Sequence, residues 1–293
     1  MIWQTARFSI DLSRPQVMGI VNVTPDSFSD GGAFALTSTA LAHCEQLLAQ
    51  GADLLDIGGE STRPGATPLP LDGELQRVLP VLREAVKLGV PISVDTYKPH
   101  VMQAALDLGA DIINDIWALR WFDPAGSATS KEVVARHSNC GICLMHMHGE
   151  PQTMQTSPMQ GDVVPQVRLF LEQAARDLQA AGVHSNRIVL DPGIGFGKTV
   201  AQNFSLLARQ SELLALGYPL LAGWSRKSSL AAIFDTKEKS SGAGGAHDRM
   251  VPSAAAALLA VERGARVVRV HDVRETVQAL TVLHALESHG SKP

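Results

Sequence analysis

A parallel (β/α)8 barrel, the TIM barrel, is predicted for this 293-residue chain as a single domain over residues 1–293. Three observations predict it. Short runs rich in Val, Ile and Leu recur eight times, most of them preceded by a helix-period segment that stops at a Gly, and they finish in polar residues. The first run is VMGIVN at 17–22. Gly51 then precedes ADLLDIGG, Gly89 precedes VPISVD, Gly109 precedes ADIIND, and CGICLMH follows at 140–146. Gly182 precedes the segment ending RIVLD, Gly217 precedes YPLLAG and Gly264 precedes ARVVRVH. Nearly continuous apolar strands alternating with amphipathic helices imply a parallel sheet buried on both faces. A doubly wound open sheet satisfies the same alternation, and the count of eight favours closure into a barrel. Pro99 opens PHVMQAALDLG as a first-turn proline, and DVVPQVRLFLEQAARDLQAAG carries apolar residues at helical spacing. Pro80 is expected to kink its helix. The stretch DTKEKSSGAGGAHDR, 235–249, is polar and glycine-rich without periodicity, so it is expected to be a long flexible loop between the seventh strand and its helix.

Composition narrows the function. There are 25 Lys and Arg against 29 Asp and Glu, a formal charge of −4, with hydrophobic residues at 45%. That balance gives no general attraction to nucleic acid or anionic lipid, so an anion must be held by a local cluster. Three cysteines, Cys44, Cys140 and Cys143, cannot build a disulfide framework. The amino-terminal MIWQTARFSIDLSRP lacks a signal peptide's apolar core, and no run is long enough to span a membrane, so a cytoplasmic protein is expected.

Catalytic groups of a parallel barrel come from the carboxyl ends of its strands. The runs here end at Asn22, at GGESTR (58–63), at Asp95, at Asn114-Asp115, at Asp191, at Ser225-Arg226-Lys227, and at Arg269 and His271. Singly, a strand-end Asp or Asn is most often a turn former or helix cap, and Asp191-Pro192-Gly193 has the look of such a turn. Together they surround one mouth, which divides into two halves. Asp95, Asn114 and Asp191 suit a flat heterocycle with adjacent N–H donors, such as a pterin or purine edge. Arg63, Lys227, Arg269 and His271 suit a phosphate or pyrophosphate, with Mg²⁺ on an oxygen ligand such as Asn22. Arg269 and His271 are two apart on a strand and so point to the same face.

Other motifs fail on inspection. DPGIGFGKT resembles a phosphate-binding loop, but Pro192 stands where GxxxxGK[ST] needs Gly, and Lys198 stands where the dinucleotide fingerprint needs its third Gly. Cys140 and Cys143 have redox spacing inside an apolar strand, where buried thiols are the better reading. His146 and His148 suit a zinc pair, but nothing completes a catalytic site, so they are expected to line the mouth or cap the loop.

MGIVNVTPDSFSDGG (18–32) and GADLLDIGGESTRPGA (51–66) resemble the two signatures of the dihydropteroate synthase family. The resemblance runs on through ISVDTYKP, ADIINDI, CLMHMHGEPQTMQ, LDPGIGFGKT, NFSLLAR, SRKS and RVHDVRET, covering about 15–280 in order. It implies a barrel enzyme, usually dimeric and cytoplasmic, that uses Mg²⁺ to join 6-hydroxymethyl-7,8-dihydropterin pyrophosphate to p-aminobenzoate, releasing pyrophosphate. Carried over by motif, Asp95, Asn114, Asp191 and Lys227 hold the pterin, with Ile116 and Met145 as apolar walls. Asn22, Arg63, Arg269 and His271 take the pyrophosphate, Asn22 also ligating Mg²⁺. Thr62, Pro64, Phe196, Ser225 and Phe28 close on p-aminobenzoate, and Asp30, Arg63, Lys227 and Asp95 carry the catalytic roles. The sequence departs from the pattern at Tyr97, where a small residue is common, at Trp117, and in a longer 235–249 loop. The rival readings are a methyltetrahydrofolate:corrinoid methyltransferase of related fold, a zinc hydrolase on His146 and His148, and a non-catalytic pterin-binding module. The methyltransferase has little use for Arg63 with Arg269 and His271, and retention of Lys227, Arg63 and Asp30 argues against loss of the chemistry.

Overall fold

The structure, a computed structural model, describes residues 1–24, 32–63, 65–122, 129–234 and 249–290. All eight predicted strands form. They are β3 (Gln16–Asn22), β4 (Leu54–Gly58), β5 (Ile92–Asp95), β6 (Ile112–Asp115), β7 (Gly141–Met145), β8 (Ile188–Asp191), β9 (Leu221–Ala222) and β10 (Val267–Val270), numbered after a two-strand hairpin described below. Every pairing between them is parallel, in the order β8-β7-β6-β5-β4-β3-β10-β9. A single parallel bridge, Leu190 to Leu220, joins the two ends, with the Leu190 N–H donating to the Pro219 carbonyl at 3.0 Å. The barrel is therefore closed most weakly between β8 and β9. Pro219 offers no N–H to a ladder, and Gly217 and Gly223 bracket a run too short for a longer strand.

Among the described residues the helices are α1 (Gly32–Ala49), α2 (Leu71–Ala85), α3 (Pro99–Asp107), α4 (Ser130–Arg136), α5 (Val163–Ala180), α6 (Val200–Ala208), α7 (Ser211–Leu214), α8 (Ser228–Ala232), α9 (Met250–Glu262) and α10 (Val273–Gly290). Helix α2 continues through Pro80, so the expected kink does not divide it. Thr129 and Thr199 start α4 and α6 with reciprocal capping boxes to Glu132 and Gln202, which fixes where the chain turns back from the mouth. Apart from Arg249, the stretch predicted as a flexible loop lies outside the described residues. No helix among the described residues is long and apolar enough to cross a membrane.

Strand alternation sorts each run into an outer and an inner set. Outward residues such as Val21, Leu55, Ile57, Val94 and Val268 pack under the helices. Inward residues Met18, Leu54, Ile112, Cys143, Val189, Leu221 and Val267 fill the lower barrel. An antiparallel hairpin, β1 (Ile2–Gln4) with β2 (Ser9–Asp11), plugs that end, an element the sequence reading did not anticipate. Its Trp3 is fully buried among the inner residues and donates its indole N–H to the Arg187 carbonyl at 2.9 Å. The space is made by Gly141, where an added Cβ would lie 3.0 Å from both the Trp3 indole nitrogen and Thr5. Arg7 pins the hairpin to the buried Asp111 carboxylate through its Nη2 at 2.6 Å and Nε at 3.1 Å. Trp3→Ala is expected to cost about 3–5 kcal/mol in urea unfolding, as large-to-small core changes do, with Michaelis constants unchanged because the plug is at the end opposite the mouth.

Candidate functional site

At the carboxyl ends of the strands the inward positions turn from apolar to polar. The centre is an ion triad. Arg269, the third residue of β10, donates through Nε to Asp56 at 2.6 Å and through Nη2 to Asp95 at 2.7 Å. Asp56 is fully buried, takes the Ser93 hydroxyl at 2.5 Å and the Asn114 amide at 3.2 Å, and was missed in the sequence because it sits in the apolar run LLDIG. Period-two alternation was the available signal, since Leu54, Asp56 and Gly58 share the inward face. Burial pushes the Asp95 carboxyl up, with Arg269 opposing and Asp56 reinforcing that shift. Asn114 gives its N–H to Asp56, so its amide oxygen is the group left to accept from a ligand.

Asp191, at the end of β8, combines both readings given for it. One carboxylate oxygen, Oδ1, accepts the Gly193 N–H at 2.7 Å and forms the turn, while Oδ2 lies on the side of Gly223. Burial raises its pKa, with the Gly193 N–H and Lys227 acting the other way. Lys227 follows β9, and its ammonium lies 4.3 Å from the centre of the Phe196 ring. Burial lowers its pKa to about 8, partly offset by Asp191. Arg226 just before it holds φ at +57°, a strained region for a residue with a side chain, and ties to Asp272 at 2.6 Å.

His271 and Ser225 form a pair, Oγ to Nδ1 at 3.0 Å, and the His271 N–H also donates to that hydroxyl at 3.1 Å. Burial, with Arg269 and Arg226 next, lowers the His271 pKa to about 3. The ring is therefore neutral at pH 7, a hydrogen-bonding group in the cationic half but not one of its charges. Asn22 ends β3 beside Gly58, half-buried at the mouth. Arg63 is exposed and Thr62 half-buried on the segment that leaves β4. Ile116, Met145 and Phe196 belong to one apolar cluster with Tyr97, Met147 and Met154. Phe28, Asp30 and Pro64 lie outside the described residues.

The glycine-rich loop after β8 is a support rather than a phosphate cradle. Lys198 is buried and donates to the carbonyls of Gly193 at 2.8 Å and Phe196 at 3.1 Å. Gly193 and Gly197 have φ of +68° and +69°, and an added Cβ would fall 1.8 Å from the His146 carbonyl and 2.4 Å from that of His148. Only glycine lets the loop lie this close to the end of β7. Asp115 is likewise a turn holder, accepting the N–H groups of Trp117 at 2.8 Å and Leu119 at 2.7 Å.

The histidine pair does not assemble. His146 is buried, edge-on to Phe170 at 4.8 Å on α5, so it does not line the mouth, whereas His148 is exposed. Both lie beyond the last residue of β7, where strand alternation no longer pairs them. Among the described residues no group of three His, Cys, Asp or Glu comes together to hold a metal. Burial and then Lys198 lower the His146 pKa to about 2. Its contribution to stability is therefore present above the unfolded value near 6.5 and lost as pH falls from there toward 2. In urea titrations between pH 6 and 4, His146→Gln is expected to lower the slope of stability on pH by about 1.4 kcal/mol per pH unit. An unchanged slope would show that His146 is charged in the folded protein.

The mouth's donor set tests the expected Mg²⁺. Asp56 and Asp95 are committed to Arg269, which leaves the Asn22 amide oxygen as a neutral hard donor. Such a set fits an ion that keeps its waters and arrives with substrate phosphates better than one held in a protein cage.

A barrel whose mouth combines inward carboxylates with a cationic rim is the architecture of a pterin-binding enzyme, and the family model described as "Pterin binding enzyme" matches residues 18–271. Dihydropteroate synthase of Neisseria meningitidis serogroup B is 49% identical over 290 residues, 97% of each chain. The Burkholderia cenocepacia dihydropteroate synthase complexed with 7,8-dihydropteroate is 48% identical with a TM-score of 0.85, covering 99% of this chain and 97% of that one. The Xanthomonas albilineans dihydropteroate synthase with 4-aminobenzoic acid is 45% identical with a TM-score of 0.87, covering 98% and 99%. The chain belongs to the dihydropteroate synthase family, a family of transferases.

Proposed function

We propose that the mouth binds 6-hydroxymethyl-7,8-dihydropterin pyrophosphate and p-aminobenzoate and joins them into 7,8-dihydropteroate, releasing pyrophosphate. The observation that carries this reading is the coupling of the two halves. Arg269 belongs to the cationic side yet is bonded to Asp95 on the acceptor side. A ring held by Asp95, Asn114 and Asp191, with Ile116 and Met145 against its faces, would put its substituent beside Arg269, Lys227 and His271.

The chemistry follows from that polarity. The carbon–oxygen bond between the pterin methylene and pyrophosphate breaks, and its electron pair leaves with the pyrophosphate. Arg63, Arg269 and Lys227 stabilise the growing negative charge, and neutral His271, fixed by Ser225, adds a hydrogen bond. Asn22 would hold Mg²⁺ through its amide oxygen, and the ion when bound supplies further positive charge to the leaving oxygens. The pterin-methyl cation is delocalised over the ring, where Asp95 and Asp191 lie beside it. The aniline nitrogen of p-aminobenzoate, with Thr62, Phe196 and Ser225 around it and Pro64 and Phe28 assigned to it by the motif resemblance, donates its lone pair to the methylene carbon and releases a proton to water. An arylamine needs no strong base, so no nucleophile–base pair is required. Asp30, assigned by the motif resemblance, belongs to this reading as a further carboxylate for the cation.

Arylsulfonamides, which share the aniline ring of p-aminobenzoate, would compete for its place. Exposed apolar side chains on α9 (Val251, Leu259) and α10 (Val282, Leu286) support a homodimer. Buried, unpaired Cys44, Cys140 and Cys143 accord with a reducing cytoplasm. Incubation of the purified protein with both substrates and Mg²⁺ is expected to yield one pyrophosphate per dihydropteroate. No dihydropteroate, or methyl transfer from methyltetrahydrofolate to a corrinoid, overturns the reading.

A further inference from the structure

Where β4 leaves the barrel, the chain is gripped before it reaches Thr62 and Arg63, which carry the expected substrate contacts. Gly59 lies against α2, where an added Cβ would be 2.7 Å from Val78, and its carbonyl accepts from Arg77 at 3.0 Å. Glu60 comes next. Its Oε1 accepts the Tyr97 phenol at 2.9 Å and its Oε2 the Lys98 ammonium. The same ammonium reaches Glu74 on α2 and lies 4.7 Å above the centre of the Tyr97 ring. Lys98, Glu60 and Glu74 side chains are 8%, 7% and 1% exposed, so the pairing operates with little solvent screening. Tyr97 is held in turn by Trp121 and Trp117, at ring separations of 5.2 and 6.4 Å. Burial raises the pKa of the Glu74 carboxyl, with Lys98 opposing, and the phenol O–H satisfies the second oxygen of Glu60. Burial and Glu60 keep that phenol protonated and donating.

We infer that Tyr97, Lys98 and Glu74 are positioning residues that act through Glu60 to set where Thr62 and Arg63 meet substrate. Only Ser61 separates the clamped Glu60 from Thr62, so a freed Glu60 carboxylate lets the segment pivot about Gly59. The inference rests on the reading of Thr62 and Arg63 as substrate contacts, and the experiment separates the two.

Tyr97→Phe removes one hydroxyl and keeps the aromatic packing, so it is the variant least disposed to misfold. Lys98→Met is the stronger change and is compared at equal folded fraction by circular dichroism. In Tyr97→Phe, amide hydrogen exchange at Ser61–Arg63 is expected to accelerate about tenfold while that of β5 is unchanged. The Michaelis constant for p-aminobenzoate is expected to rise about 3- to 10-fold, as for loss of one hydrogen bond of ordinary net strength, with kcat within twofold and affinity for 6-hydroxymethylpterin unchanged. Lys98→Met is expected to shift the same quantities further. Unchanged exchange at Ser61–Arg63 in both variants overturns the clamp, as does a Michaelis constant for p-aminobenzoate equal to wild type in both. If wild-type protein makes no dihydropteroate, the reading of the reaction fails instead, and the exchange result alone then decides whether the clamp exists.

Discussion

Asp191→Asn is expected to weaken pterin binding about 100-fold by calorimetry and to lower kcat/KM at least as much. The reason lies in how the two carboxylate oxygens are used. Oδ1 already accepts the Gly193 N–H, and the other oxygen remains for the ligand. An asparagine must place its NH₂ at one of the two positions. At the first it faces the Gly193 N–H, and at the second it faces a ring N–H. Either orientation sets donor against donor, and a buried polar group left unpaired costs about 1–3 kcal/mol, more where a charge was lost. The fold should survive, because Lys198 holds the same loop through the carbonyls of Gly193 and Phe196. Wild-type affinity in a folded Asp191→Asn protein would remove this residue from the pocket.

Arg269→Ala is expected to be the most damaging single change in the mouth, impairing both halves. Sequence alone places Arg269 with the pyrophosphate, so use of that substrate is expected to suffer more than binding of the bare pterin. The structure adds a tie to the acceptor half, since Asp56 and Asp95 both bond to the guanidinium. Asp95 is already raised by burial, and without its largest opposing charge it is driven further toward the protonated form, a poorer acceptor for ring N–H donors. Removing one member of a buried ion network costs about 3–5 kcal/mol. We expect kcat/KM to fall by about 10³ or more, affinity for 6-hydroxymethylpterin to fall about tenfold, and the urea midpoint to drop. Arg63→Ala, on an exposed segment, should instead impair use of the pyrophosphate substrate with pterin affinity and stability near wild type. Equal effects of the two changes on pterin affinity would contradict the coupling through Asp95.

The barrel was legible because its eight strands are apolar on both faces and six of them are introduced by helix-ending glycines. The residues that face the mouth were legible because they close those runs. Other features depend on contacts between distant segments. The hairpin of β1 and β2 has strands of three residues each, too short for any periodicity, and Trp3 is recognisable as a plug only once Gly141 is seen beneath it. Asp56 was hidden by its apolar neighbours, although counting by twos along β4 would have found it. The neutrality of His271 follows from burial beside Arg269, which the spacing of the two residues cannot convey. Glu60, Glu74 and Lys98 come from three segments, and nothing local marks them as partners.

In the proposed reaction the mouth separates charge, with carboxylates beside the pterin and cations beside the leaving group, so that the carbon–oxygen bond breaks before the amine attacks. Rapid-quench measurement of pyrophosphate release in a single turnover, with Mg²⁺ and without p-aminobenzoate, tests it most directly. The expected result is enzyme-dependent release of pyrophosphate in the absence of the amine, abolished in Arg269→Ala. Release that occurs only when p-aminobenzoate is present, at a rate rising in proportion to its concentration without saturation, would contradict it.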